Sequence, residues 1–388
     1  MRIGTLLNTY KIVPRVLYDL SNSKAGLASR PPWALRHLPD VAVYWLMKAL
    51  RLTELPKRKF NIQVFLDEIK LEQQIAELRK AGAEHFELSA DLIFLHPQFE
   101  AWWIEQIPFL ASLRKEGITF SVHLPQFAGL YLDSYLNGVR QGAVAEIRRM
   151  NEIFKPLDPH YVLHLGSDRF FYYTDLHLTG AALQRMLMKT IGNKGWFNRA
   201  KMAGAKLVFQ GLVKFITPLA VSRAVHPSLI RSLQEVSQFM PIEKLCIENL
   251  ENFDFDSVMK RFNQEPLRSE IPVSVCLDVG HLIMQKWTRD QRCFEKFFAR
   301  YGNRISCLHL HNVVKSAETI YDTGEREPVL QDHQPLNEEG GLLPLRKILE
   351  MVKKIDKKTG KNTTVVIELY SHDPLPSMRF LKEIVSGM

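Results

Sequence analysis

The chain has 388 residues, with 51 Lys and Arg against 42 Asp and Glu, a net charge of +9, and 46% hydrophobic residues. That apolar fraction supports a large buried core and excludes an extensively disordered chain. Four cysteines without a CxxC pair exclude a disulfide framework and a thiolate zinc site. The stretch Met1–Arg15 has no apolar core of a signal peptide, and no run approaches the roughly 18 apolar residues of a membrane span, so the expected location is the cytoplasm.

In chain order, short β-rich apolar runs recur at Ile3–Leu6, His85–Leu88, Thr119–Val122, Tyr161–Leu163, Leu245–Ile247, Val273–Leu277, Ile305–Leu308 and Val365–Ile367. Between them, apolar residues fall at helical spacing in Val64–Lys80, Phe99–Lys115, Tyr135–Phe154, Phe253–Phe262, Arg292–Ala299, Leu345–Lys354 and Met378–Val385. Eight strands alternating with helices predict one α/β domain over residues 1–388, a (β/α)8 TIM barrel. Two connections are too long for plain crossovers and read as insertions, about 9–58 after the first strand and about 168–240 after the fourth. Within the second, Gln184–Gln234 holds nine basic residues, Arg185 to Arg231, and no acid. Its Leu, Phe and Trp at helical spacing read as a helical lid, or as an amphipathic element in peripheral contact with a membrane or partner. The charge points to an anionic partner such as a small or mid-sized substrate; the apolar composition argues against a nucleic-acid groove.

Six strands end in a side chain able to bind a metal. SVHLP supplies His123, YVLHLG His164, CIENL Glu248, CLDVGH Asp278, CLHLHN His309 and VIELY Glu368. Strand C-termini meet at one face of a barrel, which brings these distant residues together. Imidazole nitrogen and carboxylate oxygen suit Zn or Mn rather than a soft thiolate site. Carboxylates at the ends of apolar strands are costly unless paired or metal-bound, so Glu248, Asp278 and Glu368 support one another as ligands. Two residues earlier, on the same side of each strand, stand Ser121, Val162, Cys246, Cys276, Cys307 and Val366. All are small enough to form a layer of barrel interior, which reads three cysteines as packing with raised pKa values rather than as nucleophiles.

This arrangement resembles the xylose isomerase-like, endonuclease IV-like (AP endonuclease family 2) TIM-barrel superfamily. The resemblance implies a metal site at Glu248, Asp278 with His281, His309, His333 within QDHQPL, and Glu368. Members with the quartet Glu248, Asp278, His309 and Glu368 around one metal are sugar or sugar-phosphate isomerases and epimerases, in which the two glutamates flank a carbonyl carbon and move its proton. The hydrolase branch adds histidines matched by His123 and His164, and a third-metal pair matched by His281 and His333. This sequence departs from the third site, where Gln331 stands at the aspartate position and the nearest acid is Asp332. The near-complete hydrolase set favours a phosphodiesterase with one to three divalent ions, Zn or Mn, metal-activated water as nucleophile and Glu248 bridging two ions about 3.5–4 Å apart. Isomerisation by Glu248 and Glu368 is the alternative, with a DNA AP endonuclease and a non-catalytic binding barrel behind it. Glu248 and Glu368 are the expected catalytic residues, and Glu87, Asn249, His311 and Asn312 the expected substrate contacts. The phrases GITFSVHLP, KPLDPHYVLHLG, CLDVGH, HLHN and DHQPL further resemble cobamide-remodelling phosphodiesterases, implying the nucleotide-loop phosphoester of a cobamide as substrate.

Overall fold

The computed structural model describes residues 1–7, 66–67, 69–91, 93, 97–125, 130–134, 137–165, 227–250, 255–284, 290, 292–319, 326–369 and 372–388. The insertion expected at about 9–58 lies outside the described residues, as does that at about 168–240 save for its last part, which includes a helix at 227–236.

Eight parallel strands close a barrel. They are β1 (Arg2–Leu6), β2 (His85–Ser89), β3 (Thr119–His123), β4 (His160–Leu163), β5 (Leu245–Glu248), β6 (Ser274–Asp278), β7 (Ile305–Leu310) and, after a two-stranded hairpin, β10 (Thr364–Ile367). Each overlaps one of the eight runs read from the sequence. Barrel strands are covered on both faces, so their sequences lack the alternating polarity of a half-exposed sheet. Period-2 alternation divides the side chains instead by size. Phe86, Leu88, Phe120, Val122, Leu277 and Leu308 share one parity and are buried, as expected of the side that meets the helices. Ser121, Val162, Cys246, Cys276, Cys307 and Val366 share the other and are also buried. Register aligns them across strands, Val162 with Cys246 and Cys276 with Cys307.

Helices cover the barrel. Among them α1 (Leu71–Lys80), α2 (Pro97–Lys115) and α3 (Asn137–Phe154) follow the first three strands. In α3, Ala143, Val144, Ile147, Met150 and Phe154 form the buried stripe, the spacing of an amphipathic helix. Phe154 meets Trp103 of α2 edge-on, with ring centroids 5.8 Å apart. The continuous helix expected over 64–80 is interrupted at Lys70, whose left-handed backbone (φ 43°) separates the helical residues Leu66, Asp67 and Ile69 from α1.

Between the seventh barrel strand and the helix expected at Leu345–Lys354, which forms as Leu345–Thr359, the sequence reading placed no element. There the chain forms an antiparallel hairpin of β8 (Asn312–Thr319) and β9 (Arg326–Gln334), which carries His333 near its end. Among the described residues no helix is long and apolar enough to cross a membrane.

Closure between β1 and β2 depends on a missing side chain. A Cβ at Gly4 would lie 2.4 Å from the backbone oxygen of His85, which cannot yield without moving the neighbouring strand. Gly4→Ala is expected to cost about 1–3 kcal/mol, in the range of overpacked cores, seen as a lower urea midpoint with an unchanged slope.

Candidate metal centre

The predicted ligands lie at the same end of their strands. His123, Glu248 and Asp278 are the last residues of β3, β5 and β6; His164 and Glu368 follow β4 and β10; His309 lies one residue before the end of β7. His123, Glu248, Asp278, His309 and Glu368 are no more than 1% exposed. Glu248 is their common neighbour. Its Oε2 lies 3.0 Å from His164 Nε2, 3.5 Å from His123 Nε2 and 3.7 Å from His309 Nδ1, and its Oε1 lies 3.5 Å from His281 Nδ1. His309 Nδ1 also lies 2.9 Å from Glu368 Oε2. Of the five groups of side chains among the described residues that could hold a cation, two include Glu248: Glu248 with Asp278, His309 and Glu368, and Glu248 with His123 and His164. They share Glu248.

Local structure shapes each arm. Asp278 caps the helical turn α4 (Val279–Leu282) by accepting from the His281 N–H at 2.6 Å, which folds the D-V-G-H motif back on itself. Asn249 extends the β5–β6 pairing with its side chain: its Oδ1 accepts from the Asp278 N–H and its Nδ2 donates to the Asp278 carbonyl, at 2.8 and 2.9 Å. The Asn249 carbonyl in turn lies 3.1 Å from His281 Nδ1. His333 and Asp332 pair at 3.2 Å, so the acid nearest the third-metal position is engaged with its own neighbour.

The four expected substrate contacts turn their polar atoms towards the protein. Glu87 faces His309 Nε2, with its two oxygens at 3.2 and 3.3 Å, and its Oε2 also accepts from the Ser121 hydroxyl at 2.7 Å. Ser121 lies 2.9 Å from Nε2 of buried His85, whose pKa is lowered to about 3, chiefly by burial and then by His160, so that the ring is neutral. Asn312 Oδ1 accepts from the N–H groups of Val313 and Leu343, and its amide occupies the space where a Cβ on Gly341 would sit. Asn249 and His311 are likewise held by backbone and Asp278. Glu87, Asn249 and His311 contact His309, Asp278 and His281 directly, whereas Asn312 is held by Val313, Leu343 and Glu338 outside the cluster.

Burial opposes charge on each ionisable group, and the opposite charges around it outweigh that opposition. Burial pulls His123 down, but Glu248, Glu87 and Glu368 lift it to about 9. His281 is lifted against burial by Asp278, Glu248 and Glu368 to about 10. Burial drives Glu248 and Glu368 up, yet the imidazoles of His164 and His309 beside the first, and of His309 and His333 beside the second, hold both well below the carboxylate range. Burial pushes the Cys276 and Cys246 thiols well up, as expected. Cys307 departs from that expectation and is lowered, because the Cys276 thiol donates to it and His309 is nearby.

This donor set fits a divalent cation. Among the described residues, the buried carboxylates of Glu87, Glu248, Asp278 and Glu368 face imidazoles that can carry the balancing protons, and Glu248 Oε1 and His123 Nε2 are buried without a partner in hydrogen-bonding geometry. A cation would supply the charge those protons supply. Metal and protons therefore compete, and affinity for Mn²⁺ or Zn²⁺ is expected to rise with pH between about 6 and 9 with protons released, which calorimetry in buffers of different ionisation enthalpy measures. Without metal the sign reverses. The raised pKa values of His123 and His281 mean that their protonated forms stabilise the fold fully below the ordinary value of 6.5, and this stabilisation is lost as pH rises through about 9 and 10. Thermal melts in chelator should show that loss.

No family model and no curated protein matches the chain. Its fold is similar to xylose isomerase-like TIM barrels among solved structures. A D-tagatose 3-epimerase-like protein is 18% identical, with 80% of this chain and 92% of that one covered at a TM-score of 0.48. A xylose isomerase-like TIM barrel protein from Mycobacterium smegmatis in complex with magnesium is 13% identical, with 82% of this chain and 88% of that one covered and a TM-score of 0.43. An AP endonuclease of family 2 from Brucella melitensis is 13% identical, with 84% and 95% covered and a TM-score of 0.42.

Proposed function

We propose that this chain is a divalent-metal-dependent phosphodiesterase whose two cation sites share Glu248. The observation that carries the reading is the position of that carboxylate between His123 and His164 on one side and the Asp278, His309 and Glu368 group on the other. A single-ion isomerase needs only the second group. Two imidazoles aimed at Oε2 of the shared glutamate, the oxygen that His309 also faces, complete a second donor set, which single-ion proton transfer does not require. A pair of divalent ions in such sites supplies an activated water and charge stabilisation for the leaving oxygen.

The chain's own residues hold and orient. His309 donates its Nε2–H to Glu87, which leaves Nδ1 facing Glu248 and Glu368 as the ligating nitrogen. Ser121 and neutral His85 stand beneath Glu87 and keep its carboxylate in place. Asn249 fixes the backbone of Asp278 and hence the entry of that ligand. Glu87→Gln keeps the shape but removes the charge opposite His309, and is expected to weaken Mn²⁺ binding by about 10- to 100-fold, the usual cost of losing a partner behind a metal ligand. Competition with a fluorescent chelator reads this directly.

The substrate we propose is a small or mid-sized phosphodiester, with the nucleotide loop of a cobamide the candidate suggested by the sequence phrases around His123, His164, Asp278, His309 and His333. The chain loaded with Mn²⁺ or Zn²⁺ should be assayed against bis(p-nitrophenyl) phosphate, dinucleotides and cobamides, and against ketose and aldose sugars. Metal-dependent cleavage of a phosphodiester supports the reading. Sugar isomerisation without such cleavage would replace it with the single-ion reaction of Glu248 and Glu368.

A further inference from the structure

His311 stands two residues beyond His309, immediately after β7, and is fully buried at 0% exposure. Its Nε2 lies 3.0 and 3.1 Å from the two Asp278 oxygens. The backbone N–H of His333 donates to its Nδ1 at 2.8 Å. With the His333 N–H directed at Nδ1, the nitrogen placed to donate to the Asp278 carboxylate is Nε2. Both nitrogens are thus engaged, and the imidazole is unavailable as a metal ligand or substrate contact even though it groups with His281 and His333. The surroundings are built around this ring. It stacks on His333 with centroids 4.0 Å apart and planes 8° from parallel. A Cβ at Gly280 would lie 1.8 Å from its Cε1, so the glycine of D-V-G-H leaves the space that the imidazole fills. His333 has φ 51°, a left-handed conformation that a non-glycine residue holds only when its surroundings enforce it, and its N–H in that conformation is the one bonded to His311.

We propose that His311 is a positioning residue that ties the β8–β9 hairpin to the Asp278 arm of the metal centre, so that metal binding and ordering of the His333 segment favour each other. The proposal rests on the metal-binding reading of Asp278 and Glu248. Donation from Nε2 fixes how the Asp278 carboxylate is turned, as partners behind metal ligands commonly do. The same ring receives the hairpin on its other nitrogen. A cation that sets Asp278 therefore favours the ring position that accepts the His333 N–H, and by linkage the reverse holds equally.

Metal affinity and amide exchange read the two ends of this coupling separately. In the native chain, saturating Mn²⁺ is expected to slow hydrogen exchange over 330–334. In His311→Ala, Mn²⁺ affinity should fall about 10- to 100-fold, and saturating Mn²⁺ should no longer slow that exchange. His311→Gln keeps a donor and an acceptor and should recover part of the affinity, which a purely space-filling role would not produce. Gly280→Ala leaves His311 present but drives a methyl group into its ring, and should reproduce both effects; it carries the test if His311→Ala does not fold. Native Mn²⁺ affinity in the variants, or exchange that Mn²⁺ still slows as in the native chain, overturns the proposal. A native chain that binds neither Mn²⁺ nor Zn²⁺ is a different result, because it removes the metal reading itself.

Discussion

Glu248→Ala is expected to empty both cation sites and to lower kcat/KM for phosphodiester cleavage by about 10³-fold or more. The magnitude follows from the several kcal/mol that metal charge contributes to such a transition state, with about 1.4 kcal/mol per factor of ten. The cause is the sharing of one carboxylate. His164 Nε2 and His309 Nδ1 approach the same Glu248 oxygen at 3.0 and 3.7 Å, so its removal takes a ligand from each group. Glu248 is also the main support of the raised His123 pKa, so His123 should titrate lower in the variant and remain tolerable in the interior without a cation. A folded, metal-free, inactive variant is the expected product. A variant with its full complement of metal would show that the sites are elsewhere.

The second large effect separates the two reactions that such a site can support. His123→Ala combined with His164→Ala leaves Glu248, Asp278, His309 and Glu368 untouched, and should reduce bound metal from two ions to one. Hydrolysis should fall by about 10²- to 10³-fold, because the variant loses the donor set of His123 and His164 and with it the charge stabilisation that a second ion would supply. An isomerase would tolerate this change far better, since its chemistry needs only the intact quartet. Retained turnover in the double variant, with one ion bound before and after, would assign the activity to proton transfer by Glu248 and Glu368.

The barrel was legible because each of its strands is buried on both faces and reads as a short apolar run. The ligands were legible because a polar side chain ends six of those runs, where a barrel gathers its strand ends. The hairpin was not legible. Its strands, NVVKSAET and REPVLQDHQ, mix polar and apolar residues and lie between two apolar barrel strands that dominated the pattern. The supports of the centre were hidden for a different reason. That Glu87 serves His309, 222 positions away, depends on the width of the barrel interior rather than on any local motif. His311 is an expected substrate contact from the sequence; only the partners of its two nitrogens show where it is held. Cys307 was expected to behave as an isolated buried thiol, and its pairing with Cys276 across the β6–β7 register reverses its shift.

Metal stoichiometry tests the central claim most directly. The native chain, stripped with chelator and reloaded with Mn²⁺ or Zn²⁺, should be analysed for metal per chain, with anomalous diffraction placing each ion. Two ions are predicted, one against His123, His164 and Glu248 and the other against Glu248, Asp278, His309 and Glu368. One ion confined to that quartet, with His123 and His164 only hydrogen-bonded to Glu248, would contradict a two-metal centre.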